Sequence, residues 1–79
     1  MNYNESKVDE LTLALMFLTT VPMQGQMRSW KGYDWDTLNR LHAAGLISNP
    51  VSAAKSVALS EAGLKRSAEL FEQYFGKAA

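Results

Sequence analysis

There is no cysteine in this chain, which excludes disulfides and thiolate metal sites at once. A single histidine, His42, leaves almost no material for an imidazole metal cage or a histidine-dependent catalytic pair. Charge of one sign is missing too, since eight Lys and Arg balance eight Asp and Glu. Dedicated nucleic-acid binders are usually basic over the domain, so this balance argues against a strong phosphate-seeking field. The longest apolar run, residues 13–18, falls far short of the roughly 17–25 residues that span a bilayer. The acidic start MNYNESKVDE is no secretory n-region. These absences predict a protein of a reducing cytoplasm with no membrane segment. There is also no Gly-rich phosphate loop, no Gly-x-Ser-x-Gly and no catalytic carboxylate pair, so the chain reads as a non-enzyme without a cofactor or metal.

What is present is apolar and aromatic. Seventy-nine residues make one domain, 1–79, and 47% of them are hydrophobic, with two Trp, three Tyr, three Phe and four Met. A domain this small buries only about 60% of the surface its unfolded chain exposes. A well-filled core or an oligomer must supply the stability that disulfides and metals cannot.

The spacing predicts a first helix from about Ser6, with Ser6 and Asp9 as a weak capping box. Val8, Leu11, Leu15 and Leu18 make one face, while Leu13, Ala14, Met16 and Phe17 fill much of the rest. A helix apolar nearly all round is buried on more than one side. Two partners for the second side are open: a second copy of the chain, or the C-terminal helix. Pro22 is expected to end this helix. Residues 22–33 follow as a connector with two glycines and no clear period, and their Met and aromatic content suggests that they pack.

A second helix is expected from the N-cap Asp34, with Trp35, Leu38 and Leu41 along one side and an Asp36–Arg40 pair. Gly45 fits a left-handed C′ position with Leu46 folding back on Leu41. Residues 46–48 and 56–60 read as two short strands around an Asn49-Pro50 turn. Ser60 caps a last helix with Leu64, Ala68, Phe71 and Phe75 as its inner stripe and Gly76 at its end.

The run Trp30-Lys31-Gly32-Tyr33-Asp34-Trp35-Asp36, with Leu38, Leu41-His42, Gly45-Leu46-Ile47, Pro50, Lys55-Ser56-Val57, Leu59 and Gly63-Leu64, resembles a family of small bacterial proteins known only as a domain of unknown function. Val8-Asp9-Glu10 and the Leu-rich helix after it extend the resemblance over nearly the whole chain. The segment Leu-Ser-Glu-Ala-Gly-Leu at 59–64 is similar to one shared by many winged-helix regulators. The resemblance implies a winged-helix-like α+β fold (helix, helix, β-hairpin wing, C-terminal helix) and supplies no activity to carry over to these residues.

Candidate residues follow from these elements. Leu11, Leu15, Phe17 and Leu18 are candidates for a homodimer interface. The aromatics Trp30, Tyr33 and Trp35 stand among Arg28 and Lys31, the composition that stacks bases or holds a ligand; the plainer reading is that the rings cover the core. In the second helix Thr37, Asn39 and Arg40 stand where a recognition helix meets base edges, and Lys55 is the one cation of the expected wing. Asp34 and Asp36 occupy the turn that would approach phosphates. The reading favoured by composition is therefore a non-catalytic, homodimeric interaction module that engages itself or another protein. A small regulator of double-stranded DNA is the alternative. Convergence of Arg28, Lys31, Arg40 and Lys55 on one face would favour DNA.

Overall fold

The computed structural model describes residues 1–78. Helix α1 runs Glu5–Thr19, one residue earlier than Ser6, because Asn4 is the cap and its side-chain oxygen accepts the Lys7 backbone N–H at 3.0 Å. The helix stops at Thr19, before Pro22 is reached. The Thr19 and Thr20 hydroxyls both donate back to the Met16 carbonyl, at 3.2 and 2.7 Å. Such local bonds give the chain an alternative to another helical turn.

The expected irregular connector is instead a β-hairpin. Strand β1, Val21–Met23, pairs antiparallel with β2, Gln26–Trp30, and Met23–Gln26 closes the turn. Gln24 and Gly25 sit at φ 52° and 78°, the two positive values of a type I′ turn. Pro22 is tolerated because it faces Met27 one step from the closing pair on an outer strand. Its missing N–H takes nothing from the ladder there.

Helix α2, Trp35–Ala43, is capped by Asp34, whose carboxylate accepts the Thr37 backbone N–H at 3.1 Å. It ends as the sequence predicts. Gly45 adopts φ 77°, its N–H donates to the His42 carbonyl at 2.9 Å, and the Leu46 N–H donates to Leu41 at 3.0 Å. These are the two hydrogen bonds of a Schellman ending. Space is open around Gly45, so a substitution there meets only backbone strain. Gly45→Val is expected to cost more than about 1 kcal/mol for that reason alone, read by chemical denaturation; a neutral result would mean the left-handed residue is not required.

Strand β3, Ser56–Ala58, pairs with β2 in the sheet order β1-β2-β3. The expected partner strand at 46–48 contracts to one bridge, Ile47–Leu59, flanked by Ser48 N–H to Ala58 (2.8 Å) and Ser60 N–H to Leu46 (3.0 Å). Helix α3, Glu61–Phe75, starts on Ser60, whose hydroxyl accepts the Gly63 N–H at 3.0 Å. Its inner row is Gly63, Ser67 and Leu70, with Leu64, Phe71 and Tyr74 half-buried beside it. The expected stripe is thus rotated, and Ala68 and Phe75 are exposed. Small side chains at 63 and 67 let the helix approach its neighbours closely, which apolar spacing does not signal.

Helix α1 is central, packing against α2, α3 and β2. Its core side carries Leu13, Ala14 and Met16, which join Leu38, Leu41, Ile47, Val57, Leu59 and Leu70 in one core. The fold is α+β and winged-helix-like. It differs from a helix-turn-helix, whose helices are joined by a turn of about 3–4 residues: here residues 20–34 between α1 and α2 carry a hairpin. Among the described residues, no helix is long and apolar enough to cross a membrane.

Candidate functional site

Alternation along the sheet separates two faces. Ser29 and Val57, opposite each other, are buried toward the helices. Val21 and Met23 of β1, Arg28 and Trp30 of β2 and Ser56 of β3 turn outward and line a groove of about 640 Å³, with Lys55 at its side. Arg28 is braced across the groove floor. Its Nε donates to Ser56 Oγ and Nη2 to the Ser56 carbonyl, both at 2.8 Å, and Nη1 donates to Gln26 Oε1 at 2.6 Å. The Trp30 indole lies over Gly32, where an added Cβ would overlap Nε1 and sit 2.9 Å from Cδ1. Tryptophan 30 is nonetheless 57% exposed and Trp35 49%. Core coverage therefore falls to Tyr33, which packs half-buried against the apolar cluster.

The sequence candidates separate on this scaffold. Arg28, Trp30 and Lys55 meet in the groove. Lys31 turns to the loop, donating to the carbonyls of Pro50 (2.8 Å) and Ser52 (3.1 Å). Thr37 is buried, with its N–H and hydroxyl both on Asp34. Asn39 is exposed on α2. Arg40 pairs not with Asp36 but with Asp9 of α1, Nη2 to Oδ1 at 2.8 Å, and with Glu5 at 3.1 Å. The hydrogen bond to Asp9 holds its guanidinium still further above its ordinary range. The four cations do not converge: Arg28 and Lys55 share the groove, while Lys31 and Arg40 are spent on internal bonds. Val21, Met23 and Ser56 also line the groove, and nothing in the sequence marks them as site residues. Only the hairpin register reveals them, and its one signal is the Gln24-Gly25 turn.

The second exposed feature is on α1. Leu11, Leu15 and Leu18 recur at i, i+4 and i+7 on the side away from Leu13 and Met16. Leu11 is half-buried, Leu15 is 43% exposed and Leu18 64%. Phe17 leans onto α3, its ring 5.0 Å from Phe71, which lies 5.4 Å from the exposed Phe75. At the far end of the same helix pair, Lys7 Nζ donates to the Tyr74 hydroxyl at 3.1 Å, and that hydroxyl donates to Glu10 at 2.6 Å. The hydrogen bond it donates to Tyr74 raises the Lys7 ammonium above its usual range. His42 donates Nδ1–H to the Ile47 carbonyl at 3.0 Å, fixing the chain after α2. Among the described residues no three His, Asp or Glu side chains gather as a metal cage would require.

The sequence model of a domain of unknown function, DUF6429, matches residues 4–77. The chain belongs to this family. The match takes in all three helices and the whole sheet, so both exposed surfaces lie inside the DUF6429 domain. A relative from Sinorhizobium fredii (strain NBRC 101917 / NGR234), the uncharacterized protein y4hR, is 45% identical over 75 residues, which is 95% of this chain and 97% of that protein. No solved structure matches the chain. Neither DUF6429 nor the bacterial relative carries a stated activity, and functional argument returns to the geometry.

Proposed function

We infer that this DUF6429 protein is a non-catalytic interaction module that pairs with a second copy of itself through α1. The observation that carries the reading is the Leu11–Leu15–Leu18 ridge, in which Leu15 and Leu18 are exposed beside the half-buried Leu11 while Leu13, Ala14 and Met16 fill the core side of the helix. Two features of the whole molecule favour a second copy as its cover. The protein is flat, 38 × 35 × 18 Å, so stacking two copies would give a more globular body. It also exposes 5289 Å², where a monomer of its mass is expected to show about 4,800 Å². A two-fold pairing would set the same ridge against itself, with the Phe17–Phe71–Phe75 ladder at its flank.

The test is sedimentation of the wild type and of Leu18→Asp. Leu18 contributes little to the core, so the variant keeps its helical circular dichroism. Wild type is expected at twice the 8.8 kDa chain mass and Leu18→Asp at the chain mass. A wild type at 8.8 kDa across the micromolar range, or a variant that stays dimeric, overturns the assignment of this face. The DNA alternative has less support, because Thr37 and Arg40 are engaged inside the fold and Asp34 and Asp36 begin the helix that would enter the groove. Titration of duplex DNA at about 50 and about 200 mM salt separates the two readings, since a DNA binder weakens steeply as counterions accumulate.

A further inference from the structure

The groove on the outer face of the sheet uses different residues from the α1 ridge, and its chemistry is of a different kind. We propose that it is a binding site for a small organic anion, whose flat apolar body lies on Trp30 and whose oxyanion is held by Arg28 and Lys55. Its volume, about 640 Å³, falls within the usual range for small-molecule sites, about 300–1,000 Å³. Its walls are Val21, Met23 and Trp30, and its charged groups are two cations with no acid among the lining residues.

Arg28 makes this more than an apolar hollow. A guanidinium carries five N–H donors, and here three are used, one each from Nε, Nη1 and Nη2. One N–H remains on each terminal nitrogen, the pair that grips a carboxylate or phosphate bidentately. Both acceptors on β3 belong to Ser56 and the third to Gln26, so the charge is positioned without being neutralised. Among the described residues the ion pairs belong to Arg40 alone. The Trp30 indole lies against Gly32, which places an aromatic surface beside the braced cation. Donors already positioned on Arg28 reduce the ordering that binding would otherwise cost.

The test is a proton–nitrogen NMR titration with three probes of the same ring: 2-naphthoate, 2-naphthyl phosphate and the neutral 2-naphthylmethanol. The two anions are expected to move the Arg28 Nε–H and Trp30 indole signals saturably, and their ranking tells which oxyanion the site takes. They should bind at least about tenfold tighter than the alcohol, the scale of a charge-assisted hydrogen bond. Arg28→Gln should erase that preference. Because Arg28 also braces β2 against β3, Lys55→Met on the exposed loop serves as the second variant. It should fold normally and weaken the anions by about threefold, the scale of one exposed charge. Equal binding of the alcohol and the anions would overturn the proposal. So would shifts centred on Leu15, Leu18 and Phe75, or the absence of saturable shifts. Displacement of naphthoate by short duplex DNA with a steep salt dependence would equally overturn it, assigning the cations to a phosphate backbone.

Discussion

Replacing Gly63 by alanine is expected to destabilise the protein by more than about 2 kcal/mol, the upper part of the range for forcing volume into a packed site. The sign is what makes the result informative. At an ordinary helical position alanine is favoured over glycine by about 0.5–1 kcal/mol. Gly63 is not ordinary, because a Cβ built there would overlap the Leu46 carbonyl oxygen and lie 2.9 Å from its carbon. That obstacle is backbone and cannot swing aside as a long side chain would. The Leu46 carbonyl accepts the Ser60 N–H at 3.0 Å, and the Leu46 N–H closes the end of α2. Moving it away would disturb the α2 ending, the Ile47–Leu59 bridge and the α3 cap together. In a domain of this size the loss corresponds to a fall in Tm of more than about 8 °C. A Gly63→Ala protein that melts at or above the wild-type temperature would show that α3 does not approach Leu46 so closely.

The same close approach shows where sequence reasoning reached its limit. Asp34, Gly45 and Ser60 were legible because caps are local chemistry: each residue acts on a backbone group three or four positions away. The phase of α3 was not, since Gly63 and Ser67 are buried for their smallness and hydrophobic spacing passes over them. In α1 the difficulty was reversed. A helix apolar nearly all round has no phase to read, so Val8, Leu11, Leu15 and Leu18 looked as good a core face as the true one through Leu13 and Met16. The hairpin is not legible in the sequence because Gln24-Gly25 lacks the Asn or Asp that usually announces a type I′ turn. Without its register Arg28, Trp30 and Lys55 could be named as cations beside an aromatic, but not placed over Val21, Met23 and Ser56 in one groove. Arg40 is the complementary case: Asp36 is the carboxylate in reach along the chain, and the fold brings Asp9 instead.

Leu38→Ala and Trp35→Ala should differ sharply, although the two residues share one helix and the larger ring would ordinarily be the costlier loss. Spacing alone sets Trp35, Leu38 and Leu41 on one side of α2. The structure divides them, with Leu38 at 0% exposure and Trp35 at 49%. Truncating Leu38 leaves a cavity among core side chains and is expected to cost about 2–5 kcal/mol. For a chain of this length total stability is on the order of 4–12 kcal/mol, so the variant would sit near the edge of folding. Trp35 occupies the first position of α2 and shows half its surface to solvent; its truncation should remain within about 1 kcal/mol, as for a partly exposed side chain away from the core. Chemical denaturation of both variants checks the pair. Equal costs would place the Trp35 ring in the core after all. The expected inequality would leave Trp35, like Trp30, as a large apolar surface that the fold does not need, and that stability therefore does not explain.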